Sequence, residues 1–303
     1  MLATSTSTEL KVGADDYPAL FLAADSASLG AQRQHLWFTG AVLLSLVAAA
    51  GLGALSAVIS TFKTSFAVAS TALVSLSFVI TAIRRALKPE KLWYGGRAVA
   101  ESAKSMAWRY MTGAEPYFVS AADVDAKFVT DLRSLVKGSD FAVGFSSEYA
   151  DKPQISPRMR EVRACQLEDR KYIYLAQRIS DQRAWYGRKA RKSQQAESWY
   201  FVVILVSQAL ALASGAYMIA SPSSKWNLVG VFSSLASALL AWLQVRQHEE
   251  LAQSYAVAAL DLGFIEEQSA HVGNDQDFSS FVGDAENAIS REHTLWIARR
   301  DRS

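Results

Sequence analysis

Four histidines (His35, His248, His271 and His293) and one cysteine, Cys165, are the side chains of this sequence best suited to nucleophilic or metal chemistry. Their spacing supports neither. No two histidines recur at ligand spacing, a lone Cys without clustered His offers no zinc site, and one thiol cannot build a disulfide framework within a chain. Asp181 and Gln182, beside Trp185 and Tyr186, would form an acid–base site only if a second carboxyl group converged on them. Asp181 follows Arg178 by three residues, so an ion pair along one helix face is the simpler reading. Glu101, with Arg97 four residues before it and Lys104 three after, reads the same way. Gly95-Gly96 lacks the Gly-Lys-Ser/Thr and the preceding strand of a phosphate loop, and reads as a bend after a membrane helix. Neither an enzyme activity nor a cofactor nor a metal is expected.

Two other groups carry chemistry of a different kind. Arg178, Arg183, Arg188, Lys189, Arg191 and Lys192 form a dense basic cluster just before an apolar stretch. It suits an anionic nucleotide or a partner's acidic surface. It equally anchors topology and contacts anionic lipid, at about 1 kcal/mol per basic residue near the surface, and that second role carries more weight because cytoplasmic flanks are generally basic. The other group lies inside apolar stretches: Thr71 and Ser75, then Ser233, Ser237 and Gln244. The last three share one helical face, and a primary amide facing lipid is costly, so they are the candidate pore lining. On the matching face of the earlier stretch, Ala82 stands where Gln244 would fall, whereas Ala48, Ala49, Ala50, Gly51 and Gly53 offer a surface for helix packing. The absence of Asp, Glu, Lys and Arg from these stretches argues against a proton-coupled transporter.

The elements that hold these residues follow from charge. Gln34–Phe62, Thr64–Ile83, Ser198–Ser224 and Trp226–Val245 contain no Asp, Glu, Lys or Arg, and each reaches the roughly 20 residues needed to cross a bilayer. Membrane helices are predicted at about 36–60, 66–83, 199–220 and 226–245, with tips at Thr61–Ser65 and Ser221–Lys225. The stretch 84–198 carries 22 basic and 14 acidic residues, whereas each tip carries one Lys. By the positive-inside rule both termini and residues 84–198 are cytoplasmic. Cytoplasmic helices are predicted at Lys91–Thr112, Glu161–Gln195 and Glu249–Gln268, the last continuous with the fourth membrane helix. Ala150–Pro157 reads as a linker, Val272–Ser280 as a polar connection, and Asp284–Arg299 as a short final helix. Lys127–Val136 and Phe141–Phe145 are ambiguous between helix and strand.

A shift of 162 residues superimposes the two hairpins without a gap: Trp37 on Trp199, Ser45 on Ser207, Gly53 on Gly215, Lys63 on Lys225 and Arg84 on Arg246. The expected fold class is an all-α membrane protein of two tandem two-helix hairpins extended by cytoplasmic helices, with modules at 1–150 and 151–303. Two motifs flank the hairpins. Trp93-Tyr94-Gly95-Gly96-Arg97 through Glu101 and Lys104, then Trp108-Arg109-Tyr110, follows the first; Arg178 through Ala190, with Asp181, Trp185 and Tyr186, precedes the second. This pattern resembles the SLATT family, two-transmembrane domains associated with SMODS and SLOG modules, here as a tandem pair over roughly 17–117 and 166–268. The resemblance implies a bacterial inner-membrane effector of conflict or anti-phage systems that forms a pore and answers a nucleotide signal or a cytosolic sensor protein. Beyond the lipid bilayer the expected partner is the chain itself, as a homo-oligomer with a tetramer favoured; no nucleic acid is expected. The alternative is a non-conducting scaffold that recruits a cytosolic enzyme.

Overall fold

Charge-free stretches of this length leave the backbone no partners but its own, and the chain responds with helices. The computed structural model describes residues 10–137 and 147–300, and among these there is no strand. The principal helices are α1 (Ala19–Val58), α2 (Lys63–Leu87), α3 (Pro89–Thr112), α4 (Val124–Lys137), α5 (Pro157–Ala164), α6 (Leu167–Tyr174), α7 (Asp181–Ala220), α8 (Val229–Arg246), α9 (His248–Gln268) and α10 (Asp275–Arg300). A π-helical turn, Leu175–Ser180, joins α6 to α7. Four helical runs, through α1, α2, α7 and α8, are long and apolar enough to cross a membrane.

The duplication is written into the helix ends. α1 and α7 each have 40 residues, and both the start (Ala19, Asp181) and the end (Val58, Ala220) obey the 162-residue shift. At 1.5 Å per residue each is about 60 Å long, twice a hydrocarbon core. Matched residues also share environments: Ser45 and Ser207 are buried, while Trp37 and Trp199 are 65% and 66% exposed.

Several expected boundaries move. α1 begins at Ala19 rather than near Leu36, because Ala19–Gln34 is rich in Ala, Leu and Ser and buries Leu20, Ala23, Ala24 and Ala31. The expected tip at Thr61–Ser65 contracts, α2 starting already at Lys63. Helix α3 runs uninterrupted through Gly95-Gly96; the break lies earlier, at Lys88, with φ 47°. Gly96 instead permits close approach: an added Cβ would lie 3.1 Å from the Ala24 carbonyl oxygen and 3.2 Å from Ser28 Cβ. The fourth membrane helix does not continue into α9, since Gln247 adopts φ 48° and closes α8 with a bond from its N–H to the Leu243 carbonyl. Glu161–Gln195 is broken at Cys165–Gln166. The segment expected as a polar connection is helical from Asp275, since Phe278, Phe281, Val282, Ala285 and Ile289 form an apolar stripe. Lys127–Val136 is helical within α4; Phe141–Phe145 lies outside the described residues.

The chain divides into two compact units, one comprising 1–32, 90–190 and 253–303, the other 33–89 and 191–252. The first has an aromatic core drawn from both halves of the sequence. Trp108 meets Tyr174 edge-on at 5.7 Å, and Tyr174 meets Phe278 and Phe281, each at 6.2 Å. The Ala150–Pro157 segment is tied down at the start of α1: the Pro153 carbonyl accepts from Ala19 N–H, and Gln154 Oε1 from Leu20 N–H. Those are helix-end donors that would otherwise be orphans. The second unit packs its helices through small and hydroxyl residues. Ser70 Oγ donates to the Ala49 carbonyl at 2.8 Å, Arg84 Nη1 to Thr39 Oγ1 at 3.0 Å, and the Trp242 indole to Tyr200 Oη at 3.1 Å.

Candidate functional site

The first unit is organised around one buried acid. Glu286 is 0% exposed and receives four hydrogen bonds. Arg178 donates through Nε to Oε1 at 2.9 Å and through Nη2 to Oε2 at 2.7 Å. Tyr174 Oη donates to Oε1 at 3.1 Å, and Ser105 Oγ to Oε2. The π turn places Arg178 and Ile179 both in the interior, so a guanidinium from a basic stretch enters the core. Burial works against the Arg178 charge, yet the Glu286 carboxylate more than offsets it and holds the group above its ordinary value. Burial, reinforced by Glu286, pushes the Tyr174 phenol well above its usual range.

This overturns the expected Arg178–Asp181 pair: Asp181 is exposed, and Arg178 is committed to a residue 108 positions away. The sequence held a signal for it, an acid at 286 inside the apolar stripe 278–281–282–285–289. Arg178 therefore leaves the basic cluster. Arg183 pairs with Glu266 at 2.8 Å, where Ser180 Oγ also donates at 2.6 Å; Arg188, Lys189, Arg191 and Lys192 are exposed.

The aromatic motif residues fall into two groups. Trp93 stacks on Tyr94 at 4.6 Å. Arg97, following it, pairs with Glu101 at 2.6 Å and with Asp25 at 3.5 Å. Trp185 and Tyr186 both pack on Tyr255 of α9, at 5.4 and 5.7 Å. Trp108 alone is fully buried. No group of three His, Cys, Asp or Glu among the described residues could hold a metal ion.

In the second unit the polar stripe turns outward. Ser233, Ser237 and Gln244 of α8 are all exposed, as are Thr71 and Ser75 of α2. Thr71 Oγ1 donates to the Ala67 carbonyl, four residues back, at 2.9 Å, which lets it tolerate an apolar setting. By contrast, Gly53 and Gly215 face inward: an added Cβ would lie 3.9 Å from Ser70 Oγ and 3.8 Å from Val229 Cγ2, each on the partner helix of its own hairpin.

Helical throughout its described residues, duplicated and carrying four membrane-length apolar runs, the chain is a multi-pass membrane protein. Comparison with known families places two domains in tandem. Residues 18–171 match SMODS and SLOG-associating 2TM effector domain 3, and residues 174–296 match SMODS and SLOG-associating 2TM effector domain 1. The chain belongs to the SLATT family. No curated protein and no solved structure matches it.

Proposed function

We propose that this protein is a membrane effector that assembles from several copies, a tetramer being favoured, and opens an ion pathway when its cytoplasmic helices move. The observation that carries the reading is the outward-facing stripe of Ser233, Ser237 and Gln244. A buried amide without a partner is costly in hydrocarbon, so Gln244 must meet another copy or water. Symmetric assembly around an axis would bring these stripes together. Thr71 and Ser75 would extend the lining, and apolar neighbours would gate it by dewetting. The predominance of basic residues over acidic ones in 84–198 supports cytoplasmic termini and a cytoplasmic central segment in an inner membrane. The family description, an effector associated with SMODS and SLOG modules, supports a role in bacterial conflict or anti-phage defence, with a nucleotide signal or sensor protein as trigger. Arg188, Lys189, Arg191 and Lys192 are then available to anionic lipid or to that trigger.

A non-conducting scaffold is the second reading, favoured by the exposed apolar face Val257, Leu260 and Phe264 of α9, which would receive a cytosolic protein. Ion flux across liposomes containing the purified protein separates the two. Flux that falls when Ser237 is replaced by Leu supports the pore, and its absence under every trigger supports the scaffold.

A further inference from the structure

Two buried donors in the first unit have no acceptor. Arg178 commits Nε and Nη2 to Glu286 and leaves Nη1 buried with no hydrogen-bond partner among the described residues. The indole Nε1–H of Trp108 is in the same condition. Both act at Tyr17. The Trp108 ring meets Tyr17 edge-on with centroids 6.4 Å apart. Burial pushes the Tyr17 phenol up, to about 12, and Arg178 and then the Trp108 N–H oppose that rise. Lys104, one helical turn before Trp108 on α3, holds Nζ 5.6 Å from the Tyr17 ring centroid and 5.9 Å from that of Phe21. Its ammonium is held below its usual range by burial and next by the Arg178 charge.

Unpartnered buried donors call for an occupant, either water or an ion. A bridging water brings two protons that need acceptors of their own. Glu286 is poorly placed to take them: Oε1 already accepts from Tyr174 and Arg178, and Oε2 from Arg178 and Ser105. The guanidinium, the indole and the ammonium only donate. An occupant that accepts without donating satisfies all three.

We propose that Arg178 Nη1, Trp108 Nε1 and Lys104 Nζ, grouped around Tyr17, bind a small monovalent anion of halide size. The buried side chains on every side favour a halide over an organic acid. Binding would tie α3 to the π turn, and thus to the helix entering the second hairpin.

Chloride titrated into the full-length protein in a gluconate buffer at constant ionic strength tests this. The thermal midpoint should rise saturably, by about 5 °C at 100 times the apparent Kd. Bromide should substitute for chloride, and sulfate should not. Trp108→Phe keeps the ring and loses the N–H, and should weaken the apparent Kd at least tenfold, whereas Lys127→Met, at an exposed site, should leave it unchanged. If Trp108→Phe does not fold, the anion series on the unmodified protein decides. Equal stabilisation by chloride, gluconate and sulfate would leave only water in the site and overturn the proposal; so would a chloride effect that survives Trp108→Phe.

Discussion

Replacing Glu286 with Gln removes one charge and almost no volume from the centre of the first unit. The perturbed carboxylate is 0% exposed and holds Arg178 through two bonds, at 2.9 and 2.7 Å, together with Tyr174 and Ser105. The variant leaves a guanidinium, itself 1% exposed, without a counter-charge. Removing one partner of such a pair costs about 3–5 kcal/mol. Because a unit of this size shifts by about 2–4 °C per kcal/mol, the midpoint should fall by roughly 10 °C or more. The double variant Arg178→Met, Glu286→Gln removes the orphaned charge and should recover most of that loss, because a buried pair replaced as a whole is often neutral. The assay is thermal unfolding of the detergent-purified protein for wild type, both single variants and the double variant, combined as a double-mutant cycle. A single-variant loss under about 1 kcal/mol, or a double variant as unstable as the sum of the singles, would refute the reasoning.

Three further outcomes follow from the same structure. Tyr17, whose phenol burial pushes up to about 12 from an ordinary 10, stays protonated when folded where the unfolded chain ionises; stability present below pH 10 should be lost as pH rises from 10 to 12, by about 3 kcal/mol, and Tyr17→Phe should flatten that slope in alkaline melts. Gly113 adopts φ 73°, and a Cβ there would lie 2.5 Å from Val119 Cγ2 and 2.9 Å from Arg170 Nη1; Gly113→Ala should cost at least about 1–2 kcal/mol in the same unfolding assay. Cys165, the sole thiol, should react with a membrane-impermeant maleimide only after cells are permeabilised, and slowly at neutral pH because burial pushes its thiol up; labelling in intact cells would overturn the cytoplasmic placement.

The spans and the duplication were legible in the sequence because they rest on long-range averages: charge-free runs, and a register that survives sparse identity. The same averaging hides local backbone. Lys88 and Gln247 both end a helix at φ near 48°, and neither is the Gly or Asn that marks such a stop. Gly96 looked like a hinge and is a contact, since only the fold brings Ala24 and Ser28 against it. The Arg178–Glu286 pair was invisible to any argument from neighbouring residues. An acid on the buried stripe of α10 was the one clue, and it was masked by reading residues 272–280 as a loop. At the candidate pore, helical spacing set Ser233, Ser237 and Gln244 on one face; the structure adds that this face is uncovered within the chain.

Single-channel recording of the purified protein in planar bilayers, with and without Gln244→Leu, tests the central claim most directly. The account predicts discrete openings in the unmodified protein and a conductance reduced at least severalfold in the variant, with the oligomer intact by size. Unchanged conductance in an intact Gln244→Leu oligomer would contradict it, as would an assembled protein that conducts nothing under any nucleotide or sensor protein supplied.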